Sequence, residues 1–174
     1  MILLLGGARS GKSAAALELG AASGRPVTFI ATAEAGDEEM AARIERHRAE
    51  RPAEWRTVEA PLALGTAVAA AADDHFVVVD CLTLWISNLM GAGRTAAQVL
   101  QEAGSVADLL RGRQGVVVSN EVGLGIVPAN ELARAYRDVL GEVNAVFAGA
   151  AARSILMVAG RALELAPLGT LTPL

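Results

Sequence analysis

Cysteine, lysine, histidine and aromatic residues are scarce in this 174-residue chain. Its single cysteine, Cys81, excludes an intrachain disulfide and predicts a reducing, cytoplasmic location. We expect neither a signal peptide nor membrane insertion, because the N-terminal segment is not basic and no apolar run approaches the roughly 20 residues that span a bilayer. The net charge of −4 excludes a general positive field for binding nucleic acid.

The scarcity of lysine is informative because arginine is abundant. Fourteen of the fifteen basic residues are arginine, so Lys12 is the only lysine, while His47 and His75 are the only histidines. A compact ammonium and a planar guanidinium suit different sites. Lys12 is therefore expected where a guanidinium would fit poorly.

Hydrophobic patterning predicts a single α/β domain over residues 1–174. Apolar residues make up 53% of the chain, which excludes a disordered protein. Continuously apolar runs, typical of strands buried on both faces of a sheet, occur at residues 1–5, 27–31, 76–79, 116–118 and 155–158. Helical spacing occurs at residues 13–22, 37–50, 62–72, 82–90, 95–110 and 130–151. The alternation predicts a mostly parallel sheet flanked by helices, with candidate active-site loops at 51–61 and 121–128.

The segment GGARSGKS matches the phosphate-binding pattern G-x-x-x-x-G-K-[ST] and lies between a predicted strand and a predicted helix. In such a loop the backbone amides surround phosphate, the lysine reaches the β- and γ-phosphates, and the final hydroxyl can bind Mg²⁺. The alternative is a glycine-rich turn that only joins a strand to a helix. We expect a nucleoside triphosphate to be held by Gly6, Gly7, Ala8, Arg9, Ser10, Gly11, Lys12 and Ser13.

Polar residues follow two of the predicted strands. Asp80 ends the run FVVVD, where P-loop proteins place a metal-binding aspartate; alternatively it caps the helix that follows. Ser119, Asn120 and Glu121 follow the strand at 116–118, at the edge where open α/β sheets bind ligands. Glu121 is a candidate to polarise an acceptor hydroxyl or to support the metal, although loop chemistry also explains this segment.

His47 lies in RIERHRAERPAEW, among arginines at positions 43, 46, 48 and 51. Met40, Ile44 and His47 share one face of the predicted helix, so a core or helix-end role is one interpretation. Catalysis is the other. The fixed charges would favour a neutral imidazole and offer forked donors to phosphate, so that His47 could attack phosphorus and form a phosphoramidate.

Four further residues are interpreted from their positions. His75 precedes a strand at the edge opposite the ligand side, which indicates a structural role. Trp85 has the spacing of a core residue, whereas Trp55 could stack on a ligand. Cys81 is expected to be a small buried hydrophobe, because no metal-ligand spacing surrounds it.

Four segments together resemble the bifunctional adenosylcobinamide kinase/adenosylcobinamide-phosphate guanylyltransferase family. They are GGARSGKS, ATAEAGDEEMAARIERHRAERPAEWRTVEAP, VVVDCLTLWISNLM and VVVSNEVGLGIVPANELARAYRDVLGEVN, so the resemblance runs from residue 1 to about residue 160. The phosphate loop alone indicates only nucleotide binding, whereas RIERHRAERPAEW and SNEVGLGIVP in this order are specific. The final segment, GRALELAPLGTLTPL, departs from the family's usual ending, and we assign it no function.

The resemblance implies a RecA-like P-loop NTPase fold and a homotrimer with active sites near subunit boundaries. It implies phosphorylation of the aminopropanol hydroxyl of adenosylcobinamide, then transfer of GMP from GTP onto that phosphate, with GTP and ATP as substrates and Mg²⁺ as cofactor. It implies that His47 carries GMP covalently; some members have paired histidines here, but this chain has Arg46. The residues implied to contact nucleotide or metal beyond the phosphate loop are Ala31, Thr32, Ala33, Arg48, Ala49, Glu50, Arg51, Glu59 and Asp80.

Two other functions fit the same motifs. A single-activity P-loop kinase for another small metabolite would use His47 only to position phosphate. A non-enzymatic nucleotide switch would turn over slowly and reorder a loop such as 121–128 between nucleotide states. Transfer of the α-phosphate of GTP, with release of pyrophosphate, would distinguish the bifunctional enzyme from both.

Overall fold

The computed structural model of the chain describes residues 1–167 and residue 169. Within this part of the chain, seven strands form one sheet in the order β3-β2-β4-β5-β1-β6-β7. They are β1 (Ile2–Gly6), β2 (Val27–Ala31), β3 (Arg56–Glu59), β4 (Phe76–Asp80), β5 (Gly115–Val118), β6 (Arg153–Val158) and β7 (Arg161–Leu165). Neighbouring strands are parallel except β6 and β7. The predicted α/β fold with a mostly parallel sheet is confirmed.

Helices connect the strands and begin close to the predicted residues. They are α1 (Lys12–Ala22), α2 (Glu38–Ala49), α3 (Leu64–Ala69), α4 (Leu82–Gly91), α5 (Ala96–Leu110) and α6 (Glu131–Ala150). Asp37, Thr95 and Asn130 each cap a helix by accepting a hydrogen bond from a backbone N–H in its first turn. None of these described helices has the length and apolarity needed to cross a bilayer.

The continuously apolar strands supply both faces of the sheet. Leu3 and Leu5 of β1 pack into a large cluster with residues of α3 to α6, whereas Leu4 packs on the other face in a cluster that includes α1. Trp85 belongs to the large cluster, and its indole N–H donates to the Leu62 carbonyl at 3.0 Å. The prediction that Trp85 is a core residue is confirmed.

Two strands and one helix differ from the predicted elements. β3 lies inside the predicted loop at 51–61, and β7 lies in the C-terminal segment. Both are edge strands without a continuous apolar run, because each pairs with one neighbour only. The helix predicted at 62–72 is shorter in the structure, where α3 buries Leu64, Ala67 and Val68. The alanines that follow made the predicted helix too long, because they continue the apolar spacing in the sequence.

The absence of a side chain at Gly20 of α1 leaves room for the ring of Trp55. A Cβ at Gly20 would lie 2.6 Å from Cη2 of Trp55, whose ring is buried and stacks on Phe29. Helix propensity favours alanine over glycine by about 1 kcal/mol, but overpacking typically costs about 1–3 kcal/mol. We expect Gly20→Ala to lower the free energy of urea unfolding by about 1 kcal/mol.

The matched control is Gly141→Ala in α6, where a Cβ would meet nothing within 4 Å. This variant should gain about 0.5–1 kcal/mol. Equal gains in both variants would show that Trp55 does not set the requirement for glycine at position 20. Trp55 is buried in the cluster that includes α1 and lies outside the lining of the cavity at the carboxyl edge of the sheet, so it is a core residue and not the ligand-stacking residue that the sequence allowed.

Candidate functional site

A cavity of about 810 Å³ opens at the carboxyl edge of the parallel strands. Its floor includes Ala31, Asp80 and Val118, the last residues of β2, β4 and β5. The phosphate loop forms one side, and α2 forms another. The topology therefore brings residues from distant parts of the sequence to one space, as expected for an open α/β sheet.

The phosphate loop wraps around the ammonium of Lys12. Gly6 has φ +150°, and a Cβ there would lie 2.3 Å from the Met157 carbonyl oxygen, so the loop requires glycine. Lys12 is 6% exposed, and Nζ donates to the carbonyls of Gly6 at 2.9 Å and Gly7 at 2.7 Å and to the Ser10 hydroxyl at 3.3 Å. Burial lowers the pKa of Lys12, and the nearby Cys81 and Asp80 side chains oppose this shift.

The N-terminus of α1 is open to the cavity. Its N-cap is Gly11, which has no side chain to occupy the first N–H groups of the helix. Unpaired N–H groups and the helix dipole make such an end a binding site for anions. Ser13 lies in the first turn and also lines the cavity.

Asp80 lies near three strongly basic side chains and one histidine. Burial raises the pKa of Asp80, and the nearby charges of His47, Arg51, Arg43 and Lys12 oppose this rise. All five residues line the cavity. The Asp80 carboxyl group is therefore poorly solvated, and nearby basic side chains favour its ionised form.

The end of β4 is held by Thr32, the residue after β2, and by Asn88 of α4. The buried Thr32 hydroxyl accepts from the Cys81 N–H at 2.8 Å and donates to the Cys81 carbonyl at 2.7 Å. The Asn88 amide donates to the Thr32 carbonyl at 2.8 Å. The Asp80–Cys81 peptide bond is cis. Because the N-cap of α4 is Cys81, the alternative that Asp80 caps this helix is wrong.

Cys81 packs against the hydrophobic cluster that includes α1, as expected of a small hydrophobe, but it is only half-buried and also lines the cavity. Because β4 ends at Asp80, Cys81 lies just beyond the strand and borders the cavity. Burial raises the pKa of this thiol to about 11, with a further rise from the charge of Asp80. The thiol is therefore protonated and unreactive at neutral pH.

His47 faces the cavity and not the core. Met40, Ile44 and His47 share one face of α2, as predicted, and all three line the cavity. None of the helix residues is buried, so the interpretation of His47 as a core residue is wrong. His47 lies in the last turn of α2, with Arg46 and Arg48 on either side.

The arginines around His47 have different environments. Arg48 forms ion pairs with Glu45 and Glu59. Arg43 lines the cavity, and within the described ranges it forms no ion pair. Arg51 lies with Cζ 3.9 Å from the centroid of the Phe29 ring, and its buried Nε has no partner among the described residues. Among the four arginines around His47, Arg43 and Arg51 therefore line the cavity without an ion pair to a described residue, and their charge is available to an anion.

Most of the sequence-predicted site residues border the cavity. Those that line it are Ala8, Arg9, Ser10, Gly11, Lys12, Ser13, Ala31, Ala33, His47, Arg48, Arg51, Glu59 and Asp80. Those outside its lining are Gly6, Gly7, Thr32, Ala49, Glu50 and Glu121. Arg43 and Asn120, which the sequence placed near the ligand edge without a definite role, also line the cavity. The sequence interpretation missed other lining residues, among them Thr83 and Leu84, because no motif marks them.

Two further residues lie away from the cavity chemistry. The Glu121 carboxylate accepts a hydrogen bond from the Gly123 N–H, which fixes the start of the loop. The Nδ1 atom of His75 lies 2.8 Å from the Thr28 hydroxyl, at the opposite edge of the sheet. His75 thus has the structural contact expected of it.

The raised pKa of Asp80 predicts a pH-dependent effect of Asp80→Asn. A carboxyl whose pKa is higher in the folded state binds more protons there, so its contribution to stability falls as pH rises above about 3.9 and through the folded pKa. We therefore expect Asp80→Asn to gain stability relative to the wild type between pH 4 and pH 8. Urea unfolding across this range checks the trend, and a difference that is constant or falls with pH would contradict it.

Comparisons with known proteins agree with this geometry. A family model described as cobinamide kinase / cobinamide phosphate guanyltransferase matches residues 2–165. The bifunctional adenosylcobalamin biosynthesis protein CobP of Pseudomonas aeruginosa is 46% identical over 168 residues, which cover 91% of this chain and 92% of that protein. The CobU proteins of Salmonella typhimurium and Escherichia coli, also named as bifunctional in adenosylcobalamin biosynthesis, are each 41% identical over 175 residues. These matches cover 92% of this chain and 96% of each relative.

A solved structure from Pyrococcus horikoshii OT3 has a similar fold, with a TM-score of 0.53 and 9% identity, covering 94% of this chain and 84% of that one. At this identity the likeness concerns the fold alone. The family model and the relatives, in contrast, match nearly the whole chain at high identity. The chain therefore belongs to the cobinamide kinase / cobinamide phosphate guanyltransferase family.

Proposed function

We propose that this chain phosphorylates adenosylcobinamide and then transfers GMP from GTP to the new phosphate, using His47 as the covalent carrier of GMP. The observation that carries this proposal is that one cavity is lined by Lys12, Asp80 and His47. A phosphate loop serves a kinase, whereas an imidazole directed at the same space can serve a nucleotidyltransferase.

Several groups in the cavity suit the phosphates of a nucleotide. The open N-terminus of α1 and the Lys12 ammonium offer positive charge on one side. On the α2 side, the unpartnered Nε of Arg51 is a buried donor that an anionic oxygen would satisfy. The available charge of Arg43 lies on the same side. Because these positively charged groups lie on two sides of the cavity, they suit an anion that extends across it, such as a chain of phosphates.

The residues present also fit Mg²⁺. Among the described residues, no cluster of three or more His, Cys, Asp or Glu side chains could hold a metal on its own. Mg²⁺ is commonly bound by one or two protein oxygens together with substrate phosphates and water. Asp80 and the Ser13 hydroxyl would hold the ion here. When bound, the ion would neutralise charge on the transferring phosphate.

In the kinase half, the acceptor hydroxyl oxygen attacks the γ-phosphorus of the nucleotide. The bond from γ-phosphorus to the bridging oxygen breaks, a nucleoside diphosphate leaves, and the hydroxyl proton is released. Lys12 stabilises the charge that spreads over the γ- and β-phosphate oxygens, because its ammonium acts as a compact point charge. We propose that ATP and GTP can both serve as donors.

In the transferase half, a neutral imidazole nitrogen of His47 attacks the α-phosphorus of GTP. The bond to the leaving pyrophosphate breaks as the N–P bond forms, which gives a phosphoramidate. The phosphate of adenosylcobinamide phosphate then attacks the same phosphorus. The N–P bond breaks, adenosylcobinamide-GDP forms, and His47 is regenerated. Arg43 and Arg51 offer donors to the charged oxygens during both displacements.

We further expect the chain to act in the cytoplasm as a homotrimer. The single free cysteine fits a reducing compartment. Exposed apolar side chains at Leu124, Ile126 and Leu132 lie beyond the end of β5 and are available for contacts outside the chain. Light scattering measures the oligomeric state directly.

Labelled GTP tests the proposed function. The purified chain is incubated with adenosylcobinamide, Mg²⁺ and GTP labelled at either the α- or the γ-phosphorus. The γ-label should appear first in adenosylcobinamide phosphate and then remain in adenosylcobinamide-GDP, whose other phosphate carries the α-label, with one pyrophosphate released for each α-transfer. Transfer of the γ-label alone would support a single-activity kinase, and slow hydrolysis without transfer would support a nucleotide switch.

A further inference from the structure

Asn120 follows a strand that lies between the strand ending at Asp80 and the strand leading into the phosphate loop. That strand is β5, and its two neighbours are β4 and β1. Asn120 lines the cavity together with Val118, the last residue of β5. Asn120 therefore borders the same cavity as Asp80 and the phosphate loop.

The backbone of Asn120 is held by a partly buried polar network. Its N–H donates to the Thr83 hydroxyl at 2.9 Å, and its carbonyl accepts from the Asn144 amide at 3.0 Å. Asn144 is 6% exposed and accepts from the Ser119 hydroxyl at 2.6 Å. The Tyr136 hydroxyl donates to the Thr83 carbonyl at 2.9 Å, which connects α6 to α4. Both neighbours of Asn120 in this network are themselves anchored.

The side-chain amide of Asn120, in contrast, has no hydrogen-bond partner within residues 1–167 and residue 169. Because both main-chain groups are occupied by the protein, the amide is what this residue can offer to the cavity. A primary amide carries a donor, Nδ2, and an acceptor, Oδ1. Glu121 differs, since its carboxylate is engaged by the Gly123 N–H outside the cavity lining.

We propose that Asn120 is a catalytic residue of the kinase half, with Nδ2 donating to a γ-phosphate oxygen and Oδ1 accepting from the acceptor hydroxyl. This inference rests on the proposed function, because it names a residue for its first step. A neutral amide suits the position, since a second carboxylate beside Asp80 and the γ-phosphate would add repulsion. The anchored backbone fixes the point from which the amide extends, and the two substrates would supply its hydrogen-bond partners.

The test compares Asn120→Ala with the wild type in both halves of the reaction. Loss of one positioned donor typically costs about 100-fold or more in rate, so we expect the kinase kcat to fall about 100-fold. The yield of GMP adduct formed from GTP alone should stay within about threefold, because attack on the α-phosphorus involves neither the acceptor hydroxyl nor displacement at the γ-phosphorus. Thermal unfolding should shift by less than about 2 °C, because no side-chain hydrogen bond is lost.

Two further variants sharpen the result. Asn120→Asp keeps the size and one acceptor oxygen but replaces the donor by a charge, so its kinase kcat should be at least as low as that of Asn120→Ala. Gln101→Ala removes an exposed amide on α5, far from the cavity lining, and should leave both activities unchanged. If Asn120→Ala does not fold, Asn120→Asp alone decides the kinase result.

The inference is overturned if a folded Asn120 variant keeps its kinase kcat within about threefold of the wild type. It is also overturned if the variants lose the GMP adduct but keep the kinase. Absence of kinase activity in the wild-type protein would instead overturn the proposed function. The two failures are therefore separable in one set of assays.

Discussion

Lys12→Met will lower the kinase kcat/KM by at least on the order of 10³-fold, because it removes the only lysine from the phosphate loop. The Lys12 side chain is buried and already held by the Gly6 and Gly7 carbonyls, so its ammonium is in place before nucleotide binds. A pre-positioned point charge stabilises the transferring phosphate without reorganising the loop. Initial rates at varied nucleotide concentrations measure the effect.

Lys12→Arg is the informative companion because it conserves charge. A planar guanidinium is larger and cannot occupy the space between the Gly6 and Gly7 carbonyls and the Ser10 hydroxyl in the same way. We expect a loss comparable to that of the methionine variant. Thermal unfolding of both variants separates loss of catalysis from loss of the fold. Retention of more than about one-tenth of the activity by Lys12→Arg would contradict the role of a compact ammonium.

His47→Asn will abolish guanylyl transfer but leave the kinase activity nearly unchanged. Removing a catalytic nucleophile commonly costs on the order of 10⁴-fold or more, because the two-step route is lost. The kinase rate should stay within about threefold, since His47 lies on α2 and not in the phosphate loop. Parallel assays of γ-label and α-label transfer measure both halves.

His75→Asn provides a matched control, because it changes the other histidine at the opposite edge of the sheet. It should keep both activities and lose at most about 1 kcal/mol of stability with its hydrogen bond to Thr28. If His47→Asn still transferred GMP at more than about one-hundredth of the wild-type rate, the covalent route would be wrong. Equal loss of both halves would indicate a structural role for His47.

Much of the fold was predictable because its central strands are buried on both faces. Leu3, Leu4 and Leu5 of β1, like the valines of β4, form runs without polar interruption, and such runs identify strands without any knowledge of their partners. The caps at Asp37 and Thr95 were equally readable, because a capping side chain acts within its own turn. The phosphate loop is also a local feature, so the motif GGARSGKS was enough to predict a tight loop between a strand and a helix.

What could not be predicted depends on contacts between distant segments. β3 and β7 have one neighbour each and therefore no continuous apolar run. Helical spacing placed Met40 and His47 on one face, but only the tertiary structure shows that this face meets a cavity. After β5, a shift of one position along the chain separates a side chain that lines the cavity from one that does not. Asn120 lines the cavity, whereas the Glu121 carboxylate accepts a hydrogen bond within its own loop.

The central claim is that His47 carries GMP, and peptide mass spectrometry tests it most directly. The purified chain is incubated with GTP and Mg²⁺, kept at alkaline pH to preserve an acid-labile N–P bond, and cleaved after glutamate, because arginines 46 and 48 flank the histidine. We predict the added mass of one GMP on the peptide that contains His47. No added mass, or GMP on any other peptide, would contradict the account.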